Sequence, residues 1–215
     1  MTENEILSRG LAELGLPGEG EQARKLTLYL RELEKWNPLF GLVGSRGRDL
    51  VVRHLLDSLA GRASIAAREP RRLADLGSGA GLPGIPLALY MPRTDVTPVE
   101  PSAKRCAFLR SAAALLGLPH LRIFEGGAET LRETFDLVTF RAFRPLDRRT
   151  LRCLAAILAP GGRIAAYKAR REKIDDEAQE ARALGYAVRV EELSAPFLEE
   201  PRHLLWLSIP PSPAP

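Results

Sequence analysis

The sequence predicts an α/β fold, a doubly wound parallel sheet carrying an N-terminal helical cap, and three observations predict it. From residue 72 onward, short apolar runs alternate with helical stretches five times, the pattern of a parallel sheet covered by helices on both faces. Gly77, Gly79 and Gly81 fall between the first apolar run and the helix after it, at the strand end where such sheets hold nucleotides. Before this alternation the first 70 residues read as helical, with one loop between two periodic stretches. The implied division is a cap over residues 1–70 packed on the sheet, a Rossmann-like domain over 71–209, and a Pro-rich tail over 210–215 that is expected to be disordered.

In the cap, Leu26, Leu30, Leu33 and Trp36 recur at helical spacing between Glu21 and Trp36. Asn37-Pro38 and Gly41–Gly47 read as turn and loop. A second helix, Asp49–Ala60, puts Val51, Val52, Leu55, Leu56 and Leu59 on one face, with Arg53, His54 and Asp57 opposite. In the sheet domain the expected strands are Leu73–Leu76, Asp95–Val99, Leu121–Phe124, Phe135–Phe140 and Arg163–Lys168. Ala187–Leu193 and Leu204–Ile209 form a closing pair. A helix starts near Pro83. The helix Ser102–Leu116 has Ser102 as N-cap and Gly117 just past its end. A short helix covers Ala128–Arg132, another runs Asp147–Leu158 before Pro160-Gly161-Gly162, and the last runs Arg170–Leu184.

The chain has 215 residues, 45% apolar and 27% charged, enough for a full core and incompatible with a mostly disordered or collagen-like chain. Cys106 and Cys153 lie far apart, which suits neither a disulfide scaffold nor a zinc finger and fits a reducing cytosol. His54, His120 and His203 have no ligand spacing, so no metal is expected. No run approaches a membrane span and the N-terminus is too polar for a secretory signal, so the expected location is cytoplasmic. The 31 basic residues, mostly Arg, exceed 27 acidic ones. That balance permits a nucleic-acid partner without demonstrating one.

The segment Leu73-Ala-Asp-Leu-Gly-Ser-Gly-Ala-Gly-Leu-Pro-Gly84 carries most of the functional information. Two cofactors compete for it. From Gly79 it satisfies G-x-G-x-x-G, the dinucleotide fingerprint. From Gly77, with Asp75 two residues earlier, it is the D-x-G-x-G-x-G loop of class I S-adenosyl-L-methionine (AdoMet) methyltransferases. The second reading keeps the first glycine at the strand end; the first starts two residues late. Glu100 closes the second strand, placed to accept hydrogen bonds from ribose hydroxyls. AdoMet is therefore favoured over NAD, and a plain connecting loop is the bland alternative.

The string Asp75-Leu-Gly-Ser-Gly-Ala-Gly-Leu-Pro-Gly-Ile-Pro-Leu-Ala88 resembles the motif of the bacterial 16S rRNA guanine-N7 methyltransferases of the RsmG or GidB family. Further matches follow in order: Lys35-Trp36-Asn37, Arg53-His54-Leu-Leu-Asp57-Ser58, Lys104-Arg105 with Phe108-Leu109, Arg141-Ala142, Lys168, and Arg202-His203-Leu204. The resemblance spans about residues 25–209. It departs at Gly41-Leu42-Val43, where the family has Asn-Leu-Thr, and Gly127-Ala128-Glu129 follows the adenine-side segment only at Glu129.

The resemblance implies a class I AdoMet-dependent methyltransferase fold, mostly parallel with an antiparallel last strand. It implies methyl transfer to N7 of a guanine, rRNA position 527, in the 530 loop of 16S rRNA, with naked rRNA or the small ribosomal subunit as partner and a monomeric enzyme. The donor-binding residues it suggests are Asp75, Gly77, Ser78, Gly79, Gly81, Leu82, Glu100, Ala128, Glu129 and Arg141. The substrate-binding ones are His54, Asp57, Arg144, Lys168, Arg202 and His203. Bland readings stand beside these: Arg141 paired with Glu129 or Asp147, a local His54–Asp57 contact with an Arg53–Asp57 pair, and a solvated Lys168. Guanine N7 carries no proton, so no general base and no catalytic residue is expected; the work is positioning. Cys106 and Cys153 read as core residues and not as nucleophiles, and the Asn/Asp-Pro-Pro-aromatic motif of exocyclic-amine methyltransferases is replaced by Phe140-Arg-Ala-Phe-Arg-Pro. Arg46, Arg48, Arg68, Arg71, Arg72, Arg148, Arg149, Arg152, Arg170 and Arg171 form clusters suited to a phosphate-gripping rim. The competing functions are a small-molecule or protein methyltransferase and a non-catalytic AdoMet-binding ribosome assembly factor.

Overall fold

A computed structural model describes residues 1–169 and 171–209. Its seven strands are β1 (Arg72–Leu76), β2 (Asp95–Glu100), β3 (Phe124–Glu125), β4 (Phe135–Arg141), β5 (Leu158–Lys168), β6 (Ala187–Leu193) and β7 (Arg202–Ser208), in the order β3-β2-β1-β4-β5-β7-β6. The pairs among β1–β5 are parallel, and β7 runs antiparallel to β5 and to β6. Strand order reverses between β1 and β4, so the carboxyl ends of these two strands border the crevice where open α/β sheets bind ligands.

The cap comprises α1 (Glu3–Glu13), α2 (Glu21–Phe40), α3 (Arg48–Leu50), a π-helical turn (Val51–Leu56), α4 (Asp57–Ala60) and α5 (Arg62–Ala66). A capping box between Thr2 and Glu5 starts α1. Leu26, Leu33, Leu55, Leu56 and Leu59 are each at most 1% exposed and share one core with α6 (Gly84–Tyr90), α7 (Ala103–Leu116) and Leu73, Leu137 and Leu204 of the sheet. At roughly 1.5–3 kcal/mol for each large aliphatic side chain, burying these five leucines is worth on the order of 10 kcal/mol. That core runs unbroken from the cap helices to the sheet, so the cap and the sheet pack as one body. The other sheet face packs α8 (Arg148–Ala156) and α9 (Arg171–Ala183) through Leu151, Leu154, Ile174 and Ala178. As the end signals require, Ser102 and Asp147 cap α7 and α8, and Gly117 closes α7 in the left-handed region.

Several boundaries differ from the sequence reading. The expected turn at Asn37-Pro38 is helical. Proline there removes one bond from the last turn, and the chain instead leaves the helix at Gly41, φ 58°, while the Asn37 amide brackets Val43 through its N–H and C=O at 2.9 Å each. The helix 49–60 is interrupted by the π turn, which bonds the Asp57 N–H to the Val52 carbonyl. Its apolar face is buried as expected, but Asp57 is 4% exposed and not on a solvated face. The helix expected to reach Leu158 ends at Ala156. β5 starts at Leu158, and Ala159–Gly162 bulge out of the ladder between the Phe135–Leu158 and Leu137–Arg163 pairs. Only Phe124–Glu125 forms the third strand, Leu121 adding one isolated bridge to Val96, and the short helix is a single 3₁₀ turn, Ala128–Thr130. The last strand begins at Arg202, two residues early. Arg170 and the tail 210–215 lie outside the described residues.

Candidate active site

The glycine loop leaves β1 as the sequence requires. Gly77, Gly79 and Gly81 have φ of 63°, 58° and 87°, and a Cβ at Gly81 would lie 2.5 Å from Ile85 Cδ1, so only glycine turns the chain here. Three anchors hold the loop. The Tyr29 hydroxyl, from α2, donates to the Ala80 carbonyl. Asp75, fully buried, accepts from the Ser78 hydroxyl and from the Gly84 N–H at 2.9 Å. Glu100, 2% exposed, accepts from the Gly79 N–H at 2.9 Å and the Ser102 N–H at 3.0 Å. Burial pushes the Asp75 carboxyl up to about 7 against the two donors that favour its ionised form, so Asp75 braces the loop from inside. Glu100 ends β2 with Oε2 turned to the loop and Oε1 to the start of α7, each keeping acceptor capacity beyond the bond it makes. Leu82 and Ala128 are buried at 5% and 4%.

A second cluster joins the cap to the end of β4. The Arg141 guanidinium donates through Nη1 to Asp57 Oδ2 at 3.0 Å and to the Arg53 carbonyl at 2.9 Å, and through Nη2 to His54 Nδ1 at 2.8 Å. Arg202 Nε holds the other Asp57 oxygen at 3.0 Å. Asp57 is therefore a buried carboxylate between two arginines, and the widened π turn presents it and His54 to Arg141 together. Burial, then the charges of Arg141 and Arg53, drive the His54 ring down to about 4, leaving it neutral near pH 7. This arrangement corrects the bland expectations: Arg141 pairs with neither Glu129 nor Asp147, and Asp57 pairs with Arg141 and Arg202 and not with Arg53, which bridges to Glu200 at 2.7 Å.

The remaining substrate residues do not join that cluster. Arg141, Tyr167 and Leu204 are register partners on the cap face, where the Tyr167 hydroxyl donates to the Ser58 carbonyl at 2.7 Å. Lys168 and His203 face each other one residue on, and so point to the opposite face. There Lys168 is no solvated lysine: it pairs with Glu177 of α9 at 2.5 Å and lies 5.9 Å over the Phe140 ring. Arg144 stacks on Phe143 with 5.0 Å to the centroid and lies 3.9 Å from Glu129. Cys106 is buried as expected, whereas Cys153 is half-buried beside Glu129, Phe143 and Arg144. Three participants escaped the sequence reading. Tyr29 reads as one more apolar position on α2, Tyr167 as a strand residue, and Phe143, whose ring lies 2.7 Å from where a Gly77 Cβ would be, carries no local signal.

The fold is that of class I methyltransferases. An O-methyltransferase from Bacillus cereus in complex with SAH superposes with a TM-score of 0.58 at 15% identity, covering 84% of this chain and 90% of that one. The DhpI–SAH complex gives 0.56 at 16% identity, covering 89% and 98%. Among sequence relatives, the ribosomal RNA small subunit methyltransferase G of Treponema pallidum (strain Nichols) is 44% identical over 86% of this chain and 84% of its own. The protein of the same name from Ralstonia nicotianae is 40% identical over 94% and 93%. The sequence model of the family described as GidB, rRNA small subunit methyltransferase G, matches residues 22–205, which take in the glycine loop, the Arg141 cluster and both sheet faces. The chain belongs to the GidB family.

Proposed function

We infer that this protein transfers a methyl group from AdoMet to N7 of a guanine in the 530 loop of 16S rRNA. The observation that carries the reading is the glycine loop at the β1 end with the Glu100 carboxylate turned onto it, in a chain whose family match covers residues 22–205. The donor set fits AdoMet: a positive-φ loop lets the backbone approach a ligand, and a buried carboxylate with spare lone pairs suits two ribose hydroxyls. Gly77, Ser78, Gly79, Gly81, Leu82 and Glu100 would hold it, with Ala128 and Glu129 on the adenine side and Arg141 at the β4 end. When bound, AdoMet supplies an electrophilic methyl on a sulfonium.

The chain's task is then orientation. N7 brings its own lone pair and no proton has to leave, so the neutral His54 and the fully engaged Asp57 need not act as bases. Arg144 would face the RNA and His54 the target base, with buried Asp57 holding Arg141 and Arg202 in place; Lys168 and His203 would act on the RNA only from the far side of β5 and β7. On α8, Arg148, Arg149 and Arg152 are exposed and form no ion pair among the described residues, which leaves them available to phosphates. The reading takes the protein to act as a cytoplasmic monomer. The test is incubation of tritiated AdoMet with small subunits lacking the modification, followed by chemical cleavage mapping of the rRNA. Label at a single 7-methylguanosine is expected; label in ribosomal protein, or none, overturns the assignment.

A further inference from the structure

His54 carries a buried polar atom for which the fold provides no partner: its Nε2 is closed to water and makes no hydrogen bond among the described residues. The identity of that atom follows from its neighbour. A guanidinium only donates, so His54 Nδ1, 2.8 Å from Arg141 Nη2, must be the unprotonated acceptor. The proton of the neutral ring therefore resides on Nε2. Arg141 and Arg53 on one side oppose the charged form, and Asp49 alone favours it, so both nitrogens do not become donors near neutral pH. Native folds rarely leave a buried N–H unbonded, and each one calls for an explanation in strain, a functional role or a bound water. The π turn that presents His54 is likewise a rare element, frequent at functional sites.

We propose that entry of the target base uncovers the buried His54 Nε2–H, which then donates to guanine O6 and makes His54 the residue that selects guanine over adenine. The proposal rests on the methyl-transfer reading above. Its chemistry is that of one base edge: N7 and O6 of guanine are adjacent acceptors, whereas adenine offers N7 beside an amino donor. A single N–H aimed at O6 accepts guanine, meets adenine donor to donor, and leaves the N7 lone pair free. In the transfer the N7–carbon bond forms as the sulfur–carbon bond breaks, the electron pair leaving with sulfur; no proton moves, and His54 only holds the base. Arg141 thus has two engagements: it stands at the donor end of the crevice and fixes the tautomer that reads the acceptor.

The test compares small subunits carrying guanine at the target with subunits carrying 2-aminopurine, which has N7 and no O6. Wild-type kcat/KM should favour guanine by about ten- to hundredfold, the value of one well-placed hydrogen bond in a closed site. His54→Asn keeps an acceptor for Arg141 at the Nδ1 position but is too short to carry a donor to the Nε2 position. It should bind AdoMet normally in calorimetry and lose most of the guanine preference, through slower reaction of guanine alone. His54→Gln, which places an amide N–H near the Nε2 position, should restore part of it. A His54→Asn enzyme that slows on both bases by the same factor would assign the residue a structural role and overturn the proposal. Equal wild-type rates on the two bases would overturn it without any variant. Absence of methylation of guanine particles by the wild type would instead sink the functional reading beneath it.

Discussion

Gly84 is the position where the structure makes a sharp energetic demand. It opens α6 on the far side of the glycine loop, and an added Cβ would lie 2.6 Å from Asp75 Oδ2, 3.1 Å from its Cβ and 3.2 Å from its Cγ. The side chain it strikes is fully buried and tied to the Ser78 hydroxyl and the Gly84 N–H, so it cannot swing aside cheaply. Gly84→Ala must therefore displace Asp75. Overpacking a core by one methyl costs about 1–3 kcal/mol, loss of a hydrogen bond to a charged or ionisable group about 1.5–3, and alanine's better helix propensity returns about 1. The net expectation is a loss of about 1.5–5 kcal/mol, a fall in Tm of about 3–20 °C for a chain of this size. Gly79→Ala is the control: its nearest non-neighbour is the Gly77 carbonyl oxygen at 3.8 Å, leaving only the left-handed backbone at φ 58°, about 1–2 kcal/mol. Urea unfolding of the two variants beside the wild type decides the matter. If Gly84→Ala stays within 0.5 kcal/mol of wild type (roughly the noise of surface substitutions), or costs less than Gly79→Ala, the Asp75 brace is wrong.

Asp75 also predicts a pH signature. Its carboxyl is raised from 3.8 to about 7, so the folded chain retains a proton that the unfolded chain releases between those values. Wild-type stability should then fall as pH rises through that window and level off above it, by on the order of 4 kcal/mol relative to Asp75→Asn, which does not titrate; parallel curves for the two proteins would refute this. Asp57→Ala leaves Arg141 and Arg202, 19% and 14% exposed, without their carboxylate and should cost about 3–5 kcal/mol in chemical denaturation. A loss below about 1 kcal/mol would show that water satisfies both guanidiniums. Replacing Arg148, Arg149 and Arg152 by alanine should weaken rRNA binding and flatten the log-affinity against log-salt slope by about 2–3, close to one per phosphate contact removed. An unchanged slope would remove α8 from the interface.

What the sequence disclosed was local. Gly77, Gly79 and Gly81 announce a positive-φ loop because only glycine adopts it without strain, and Ser102 and Gly117 announce the ends of α7 because caps act within four residues. The parallel sheet followed from alternation, which needs no knowledge of partners. What it concealed was long-range or indifferent to composition. Pro38 reads as a breaker, yet the helix survives it because Gly41 and the Asn37 amide supply a better ending three residues on. The bulge Ala159–Gly162 resembles a turn until its strand partner, Phe135, is known. His54 and Asp57 were singled out on their helix, but the period of an ordinary helix sets them opposite the apolar stripe. The π turn, which no residue pattern signals, rotates them into contact with a residue more than eighty positions away. Lys168 and His203 looked like members of the same edge, and strand alternation sent them to the other face.

The cluster around Asp57 is not what keeps the cap in place. Burial of Leu26, Leu33, Leu55, Leu56 and Leu59 already supplies on the order of 10 kcal/mol. Ion pairs at 5–19% exposure carry a desolvation cost that offsets much of their attraction. A fold seeking only adhesion would do as well with leucines at 57, 141 and 202. What charged groups provide and leucines cannot is direction: two arginines fix both oxygens of one carboxylate, and that carboxylate with the Arg53 carbonyl and His54 Nδ1 fixes the plane of Arg141. Three of the guanidinium's N–H groups are thereby committed to the cap, and its Nε–H and remaining Nη2–H make no hydrogen bond among the described residues. Orientation of this kind matters where a methyl must lie in line between sulfur and nitrogen, because a displacement of about 1 Å there costs roughly a hundredfold in rate.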